Sequence, residues 1–60
     1  MTKLELFAYD GSYEDFPEGS NRYYAQLAVD HHGSAVRDNT IDELIAIGKA
    51  LDKEQEKEIA

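Results

Sequence analysis

Two stretches in the first half of the chain alternate between apolar positions and polar or aromatic ones. The first covers residues 2–9 and the second covers residues 22–30. A period of two over this length is typical of a half-buried β-strand. The pattern therefore predicts two strands, whose inward positions are Leu4, Leu6 and Ala8 in the first and Tyr23, Ala25, Leu27 and Val29 in the second.

Turn-forming residues separate and follow these stretches. Residues 10–21 hold Gly, Ser, Asp, Asn and the single Pro, which favour turns and predict a long loop, a length at which loops are often functional or disordered. His31, His32 and Gly33 predict a tight reversal, because glycine accepts a positive φ at little steric cost. Residues 34–37 then predict a short third strand.

The remaining element is a helix that begins after Thr40. Thr40 and Glu43 have the spacing of a capping box, in which each side chain bonds the backbone N–H of the other residue. Gly48 within the helix costs about 1 kcal/mol relative to alanine, which would be tolerated if the helix backbone packs closely on the sheet. The apolar positions recur at helical spacing and are Ile41, Leu44, Ile45, Ile47, Gly48 and Leu51.

Together these elements predict an α+β fold in the order β-β-β-α, a three-stranded antiparallel meander with one C-terminal helix on one face. A single small domain would span residues 1–60. One helix covers only one face of such a sheet, so Phe7, Tyr9 and Tyr24 would form an open aromatic face. Alternatively, the long loop folds over Phe7 and Tyr9, with Phe16 completing a small satellite cluster.

The net charge argues against one large class of functions, the direct binding of nucleic acid. Thirteen acidic residues oppose six basic ones, for a net charge of −7 and a pI near 4.5. Direct binding to nucleic acid needs a basic surface, so we expect none. No apolar run approaches the length of a membrane span, and no secretion signal is recognised, so we expect a cytoplasmic protein without membrane contact. The absence of cysteine excludes disulfides and thiolate metal sites.

The acidic surplus lies in the first 48 residues, which contain nine acids and three bases. Such a surface either keeps a small protein soluble or presents negative potential to a basic groove, as a phosphate backbone does. Under the second hypothesis, aromatic residues would anchor the contact. The candidate partner-binding residues are Asp10, Tyr13, Glu14, Asp15, Phe16, Glu18 and Asp30, together with Tyr9 and Tyr24.

Other chemistry is poorly supported by the residues. The sequence from Asp10 to Asp15 lacks the ligand spacing of a calcium loop, and His31 with His32 lacks a third metal ligand. A catalytic triad built on these histidines would need a pocket and an oxyanion hole. We therefore predict no cofactor, no metal and no enzymatic activity.

Two resemblances point to inhibition. The stretch from Asp38 to Leu51, following three predicted strands, is similar to the strand-to-helix passage of HicB-like antitoxins, which implies a module that neutralises a small toxic ribonuclease. By size, acidity and build, the chain also resembles small acidic inhibitors of phages and other mobile elements, including anti-CRISPR proteins and DNA mimics.

The leading hypothesis is a non-enzymatic inhibitor that docks its acidic surface on a basic, nucleic-acid-handling protein. The alternative is a HicB-like antitoxin or a homodimeric regulatory module that binds through the open aromatic sheet face.

Overall fold

The chain folds into helices. The computed structural model describes the backbone of residues 1–59 and the side chains of residues 1–54. Within the described backbone there is no strand, so the predicted α+β fold with a three-stranded sheet is wrong. The elements are α1 (Lys3–Ala8), α2 (Asn21–His32) and α3 (Ile41–Ile59), with short 3₁₀ turns at Tyr13–Asp15 and Gly33–Val36.

Helix α1 replaces the first predicted strand. The Thr2 hydroxyl caps it by accepting a hydrogen bond from the Glu5 N–H at 3.2 Å. Leu6 is 1% exposed while Leu4 is 77% exposed, although the alternation placed both on one face. Residues two apart share a strand face but lie on nearly opposite sides of a helix. The alternation was therefore wrong in placing Leu4 beside Leu6 on the inward face.

Helix α2 replaces the second predicted strand and is the centre of the molecule. The Ser20 hydroxyl accepts from the Tyr23 N–H at 3.2 Å and caps the helix. Its side chains are buried without interruption from Ala25 to Val29, because α2 packs against α1, both 3₁₀ turns and α3. A segment buried on all sides shows no apolar helix face, and the alternation of Tyr23, Ala25, Leu27 and Val29 within it predicted a strand instead.

Gly33 reverses the chain as predicted, but it ends a helix and does not join two strands. Its φ of +59° lies in the region that favours glycine, and its N–H donates to the Val29 carbonyl. Residues 33–36 form the second 3₁₀ turn, from which Val36 is buried in the core. The third predicted strand is therefore also wrong.

The predicted C-terminal helix is confirmed as α3. Thr40 N–H donates to Glu43 Oε1 at 2.8 Å and Glu43 N–H donates to Thr40 Oγ1 at 3.2 Å, which is the expected capping box. The hydrogen bond from the Thr40 backbone lowers the pKa of the Glu43 carboxyl below its ordinary value. The cap therefore stabilises the fold above that ordinary pKa, and its contribution is lost as the pH falls through the lowered pKa.

Helix α3 lies close against α2 at Gly48. A Cβ at this position would lie 2.7 Å from the Tyr24 Cα and closer still to its carbonyl carbon and oxygen. The backbone of α3 thus packs closely at Gly48, but its neighbour is α2 and not the predicted sheet. The apolar core that results contains Leu6, Ala25, Ala28, Val29, Val36 and Leu44, with Phe7, Ile41, Ile45 and Ile47 packed against it. None of the helices in residues 1–59 combines the length and hydropathy that a bilayer crossing requires.

Candidate functional site

The loop predicted over residues 10–21 corresponds to segment 9–20, which connects α1 and α2. Two carboxylates hydrogen-bond this segment to its neighbouring helices. Asp15 Oδ2 accepts a hydrogen bond from the Tyr9 hydroxyl at 2.7 Å, which joins the 3₁₀ turn to the end of α1. Asp30 Oδ2 accepts from the Tyr13 N–H at 2.8 Å, which joins the same turn to α2. Ser12 caps this turn by accepting from the Glu14 N–H at 3.3 Å. The acids of this region therefore divide into those that hold the segment and those that do not.

The bond between Tyr9 and Asp15 alters the acidity of the phenol. Because the Tyr9 O–H donates to a carboxylate, loss of its proton would remove the bond and place two anions side by side. The hydrogen bond, with desolvation and the charge of Asp15 added, raises the pKa of Tyr9 above its ordinary value of 10.0. Tyr9 is thus a fixed hydrogen-bond donor at neutral pH.

Arg22, at the start of α2, is the centre of a polar network. Its Nε and Nη2 donate to Gln26 Oε1 at 3.4 and 3.3 Å, and its Nη1 lies 3.5 Å from Glu5 Oε2. The side chain of Arg22 is 23% exposed and that of Glu5 is 54% exposed. The guanidinium is therefore oriented mainly by the amide of Gln26, and its pairing with Glu5 is open to solvent.

The face of the Arg22 guanidinium is covered by aromatic rings. Its Cζ lies 4.5 Å from the centre of the Phe16 ring and 5.4 Å from that of Tyr9. The two rings are themselves 5.1 Å apart. The satellite cluster suggested by the sequence thus forms around Tyr9 and Phe16, while Phe7 packs on the main core instead. A cation over two rings fixes the loop on α2 through contacts that need no further anion.

Gln26 connects this network to the interior. It is completely buried, and its Nε2 donates to the Leu6 carbonyl at 3.0 Å and to Asp30 Oδ1 at 3.1 Å. The Leu6 carbonyl belongs to the last turn of α1, where helix carbonyls have no partner within the helix. One buried amide therefore ties α1, Arg22 and Asp30 together.

A second group of aromatic residues lies along α2. The rings of Tyr13 and Tyr23 are 5.4 Å apart, and those of Tyr23 and Tyr24 are 5.6 Å apart. Burial raises the pKa of Tyr23 above its ordinary value of 10.0, and the charges of Asp52 and Glu18 add to this effect. Tyr24 lies at the contact with α3, where Lys49 Nζ is 5.8 Å from the centre of its ring.

The structure brings most of the predicted contact residues together but gives them different tasks. Tyr9, Asp15 and Phe16 form one cluster, and Tyr13 with Asp30 forms the adjoining attachment. Tyr24 belongs to the contact between α2 and α3 and lies apart from both. Three acids of segment 9–20 are exposed and hold none of these attachments, namely Asp10, Glu14 and Glu18.

An open pocket lies beside the cluster, at the junction of α1, Tyr9 and α2. Its volume is about 420 Å³, and its lining residues are Glu5, Ala8, Tyr9, Asp10 and Arg22. The walls carry two carboxylates, one guanidinium, an aromatic ring and the exposed methyl group of Ala8. Chemically, this lining suits a ligand with a cationic end and a short apolar stem.

The two histidines terminate α2, and their rings meet edge to face with centroids 4.9 Å apart. Both are exposed. Among the described residues, no group of three or more His, Asp or Glu side chains is placed to hold a metal ion.

Sequence reasoning missed Arg22 and Gln26, the two side chains that organise the site. A signal for Arg22 was present, because it is the one basic residue between Lys3 and Arg37 in a strongly acidic stretch. Gln26 carried no comparable signal, since its burial depends on α1 and α2 crossing at this point. Comparisons with protein-family models, curated proteins and solved structures find no match to this chain.

Proposed function

We propose that this protein is a non-enzymatic binding module that docks an acidic surface on a basic, nucleic-acid-handling protein and blocks it. One observation carries the proposal. Asp15 and Asp30 hydrogen-bond segment 9–20 to α1 and α2, and three further acids of the segment, Asp10, Glu14 and Glu18, are exposed.

The attachments of segment 9–20 favour binding, because association must offset the entropy lost when flexible groups are immobilised. A segment already held by Tyr9, Arg22 and Asp30 loses less freedom on association than an open loop of the same composition. Its charges also act before contact, because complementary potentials accelerate encounter with a basic surface and make association sensitive to salt. A fixed array of carboxylates is the feature that an imitation of a phosphate backbone needs.

The aromatic residues take a different part from the one that the sequence suggested. Tyr9, Tyr13 and Phe16 are half-buried in contacts within the molecule, so they shape the segment and offer only their outer edges to a partner. Tyr24 stands apart and is left out of the proposed surface. The binding residues of the proposal are therefore Asp10, Glu14 and Glu18, supported by Asp15, Phe16 and Asp30.

In its specific form, the proposal is an inhibitor of the anti-CRISPR or DNA-mimic kind. The cysteine-free composition is compatible with an encounter in the cytoplasm. The alternative surface, an open aromatic sheet face, has no counterpart because residues 1–59 form no sheet.

The test is capture of partners from a nuclease-treated bacterial lysate, followed by binding measurements with the purified partner. Glu14→Lys with Glu18→Lys reverses two exposed charges that make none of the attachments described above. The matched control is Asp38→Lys with Glu54→Lys, which changes the net charge equally at exposed positions outside the segment.

We expect the first pair of substitutions to weaken binding about tenfold or more, and the control pair to weaken it much less. Affinity of the unmodified protein should fall steeply as salt is raised. A partner that binds equally at low and high salt, or that tolerates both pairs of substitutions alike, would contradict the proposal.

A further inference from the structure

We infer that the pocket between α1 and α2 takes one lysine or arginine side chain of the basic partner. This inference rests on the proposed function and adds a defined subsite to it. The cationic end would lie between the carboxylates of Glu5 and Asp10, and the apolar stem would lie on Ala8 and the ring of Tyr9.

The charges of the lining favour a cation. Two carboxylates face the pocket against one guanidinium, and that guanidinium is already engaged by Gln26 Oε1 through Nε and Nη2. Glu5 meets Arg22 through Oε2 only, at 3.5 Å, which is longer than the 2.7–2.9 Å or so of a close charge-assisted hydrogen bond. Glu5 and the exposed Asp10 therefore retain capacity to accept hydrogen bonds from an incoming cation.

The walls of the pocket are set before a ligand arrives. The hydroxyl of Tyr9 is held by Asp15 at 2.7 Å, so the ring has a fixed direction. Arg22 is held by Gln26 on one side and by the Phe16 ring, 4.5 Å away, on the other. Such restraint lowers the entropic cost of binding.

The adjoining cluster already performs the same recognition within the molecule. Arg22 is a cationic side chain held by an amide oxygen, a carboxylate and the faces of two rings. The pocket shares Tyr9, Arg22 and Glu5 with this cluster and adds the carboxylate of Asp10 and the small side chain of Ala8. A lysine or arginine from outside would thus extend an arrangement that this sequence builds for its own arginine.

The test uses the full chain and two probes, the peptides tetralysine and tetraarginine, followed by the shifts of backbone amide signals in ¹H–¹⁵N NMR spectra. Two variants alter the pocket independently. Ala8→Leu fills its floor, and its matched control Ala46→Leu makes the same change at an exposed helical position of α3. Asp10→Asn removes one carboxylate charge, and its matched control is Asp38→Asn.

We expect the largest shifts at Glu5, Ala8, Asp10 and Arg22, and we expect Ala8→Leu and Asp10→Asn each to weaken peptide binding about threefold, with little change in the two controls. A preference between the peptides would identify the side chain that the pocket takes. Equal shifts at every exposed carboxylate, or equal effects of the pocket variants and their controls, would overturn the subsite and leave the wider acidic docking surface standing.

A third arm titrates inorganic phosphate. Shifts centred on Arg22 with phosphate, and none with either peptide, would identify an anion site and overturn the inference. Failure of both peptides to bind anywhere, even at low salt, would count against the acidic docking surface itself as well as against the pocket.

Discussion

The two sides of α2 are packed by different kinds of contact. Toward α3 the contact is apolar and close, with Leu44 completely buried and Gly48 set against the backbone of Tyr24. Toward α1 and segment 9–20 the buried Leu6 is accompanied by a polar network of Arg22, Gln26 and Asp30, with hydrogen bonds of 2.8–3.4 Å.

The difference separates stability from surface shape. Apolar burial is non-directional and scales with area, so the α2–α3 contact contributes to stability through the amount of apolar surface that it buries. Hydrogen bonds contribute less on balance but fix positions and angles. The polar side of α2 therefore determines where the exposed carboxylates of segment 9–20 stand, while the apolar side keeps the molecule folded.

We expect the largest loss of stability from a substitution in the apolar contact between α2 and α3. Leu44→Ala should lower the free energy of unfolding by about 2–5 kcal/mol, because it removes buried methyl groups and leaves a cavity. A domain of this size has little more than that to lose. Thermal unfolding followed by circular dichroism measures the change, and Leu4→Ala, at a position 77% exposed, is the control. Equal effects of the two substitutions would show that Leu44 is not in the core.

Gly48→Ala tests the close approach of the same two helices. Alanine has the higher helix propensity by about 1 kcal/mol, so on local grounds the variant should be more stable. The added methyl group would overlap the Tyr24 backbone, so we expect a net destabilisation of about 1–3 kcal/mol. Urea unfolding measures it, with Ala46→Gly as a purely local control, and a rise in stability for Gly48→Ala would contradict the packing.

Gln26→Met removes the hydrogen-bonding amide from the contact between α2 and α1 while keeping the side-chain volume nearly constant. The Leu6 carbonyl, Arg22 and Asp30 each lose a partner. We expect a loss of about 1–3 kcal/mol, chiefly because the buried Leu6 carbonyl would be left without a hydrogen bond. Urea unfolding by circular dichroism is again the measurement. A variant as stable as the original protein would show that the amide does not tie α1 to α2.

Asp15→Asn makes the smallest change and compares two tyrosines. The pKa of Tyr9 is raised chiefly by its hydrogen bond to Asp15, and that of Tyr23 chiefly by burial, so the substitution should lower only the first. ¹³C NMR of the Cζ atoms during a pH titration resolves the two.

The sign of the accompanying stability effect follows from the same shift. A pKa that is higher in the folded state stabilises the fold below the ordinary tyrosine value of 10.0. That contribution is lost as the pH rises through the raised pKa. If Tyr9 and Tyr23 respond alike to Asp15→Asn, the hydrogen bond is not the cause.

The two sides of α2 also differ in how far the sequence reveals them. Thr40 with Glu43 and the apolar spacing after them are local signals that led to the correct prediction of α3, whereas the element expected beside Gly48 was a sheet and is α2. In residues 2–9 and 22–30, alternation over a short window predicted strands, whereas the structure has helices that Thr2 and Ser20 cap. Short apolar runs fit both structures until tertiary contacts decide.

The sequence indicated several residues of the candidate site but not the contacts that hold them together. The acids and aromatic residues of segment 9–20 were identified from the sequence, and the structure gathers Tyr9, Asp15 and Phe16 among them. Which carboxylates attach the segment depends on tertiary contacts, because Asp15 meets Tyr9 and Asp30 meets Tyr13 and Gln26. Contacts between residues 17 or 20 positions apart leave no periodic trace in a single sequence.

The central claim is that segment 9–20 is held on α2, so that its exposed carboxylates are in place before a partner arrives. Amide hydrogen exchange at Tyr13 in the unbound protein tests this most directly, because its N–H donates to Asp30 at 2.8 Å across the segment's attachment to α2. The account predicts exchange well below the rate of an unstructured peptide, and faster exchange in Gln26→Met. Exchange of the Tyr13 amide at the unstructured rate in the unmodified protein would contradict it.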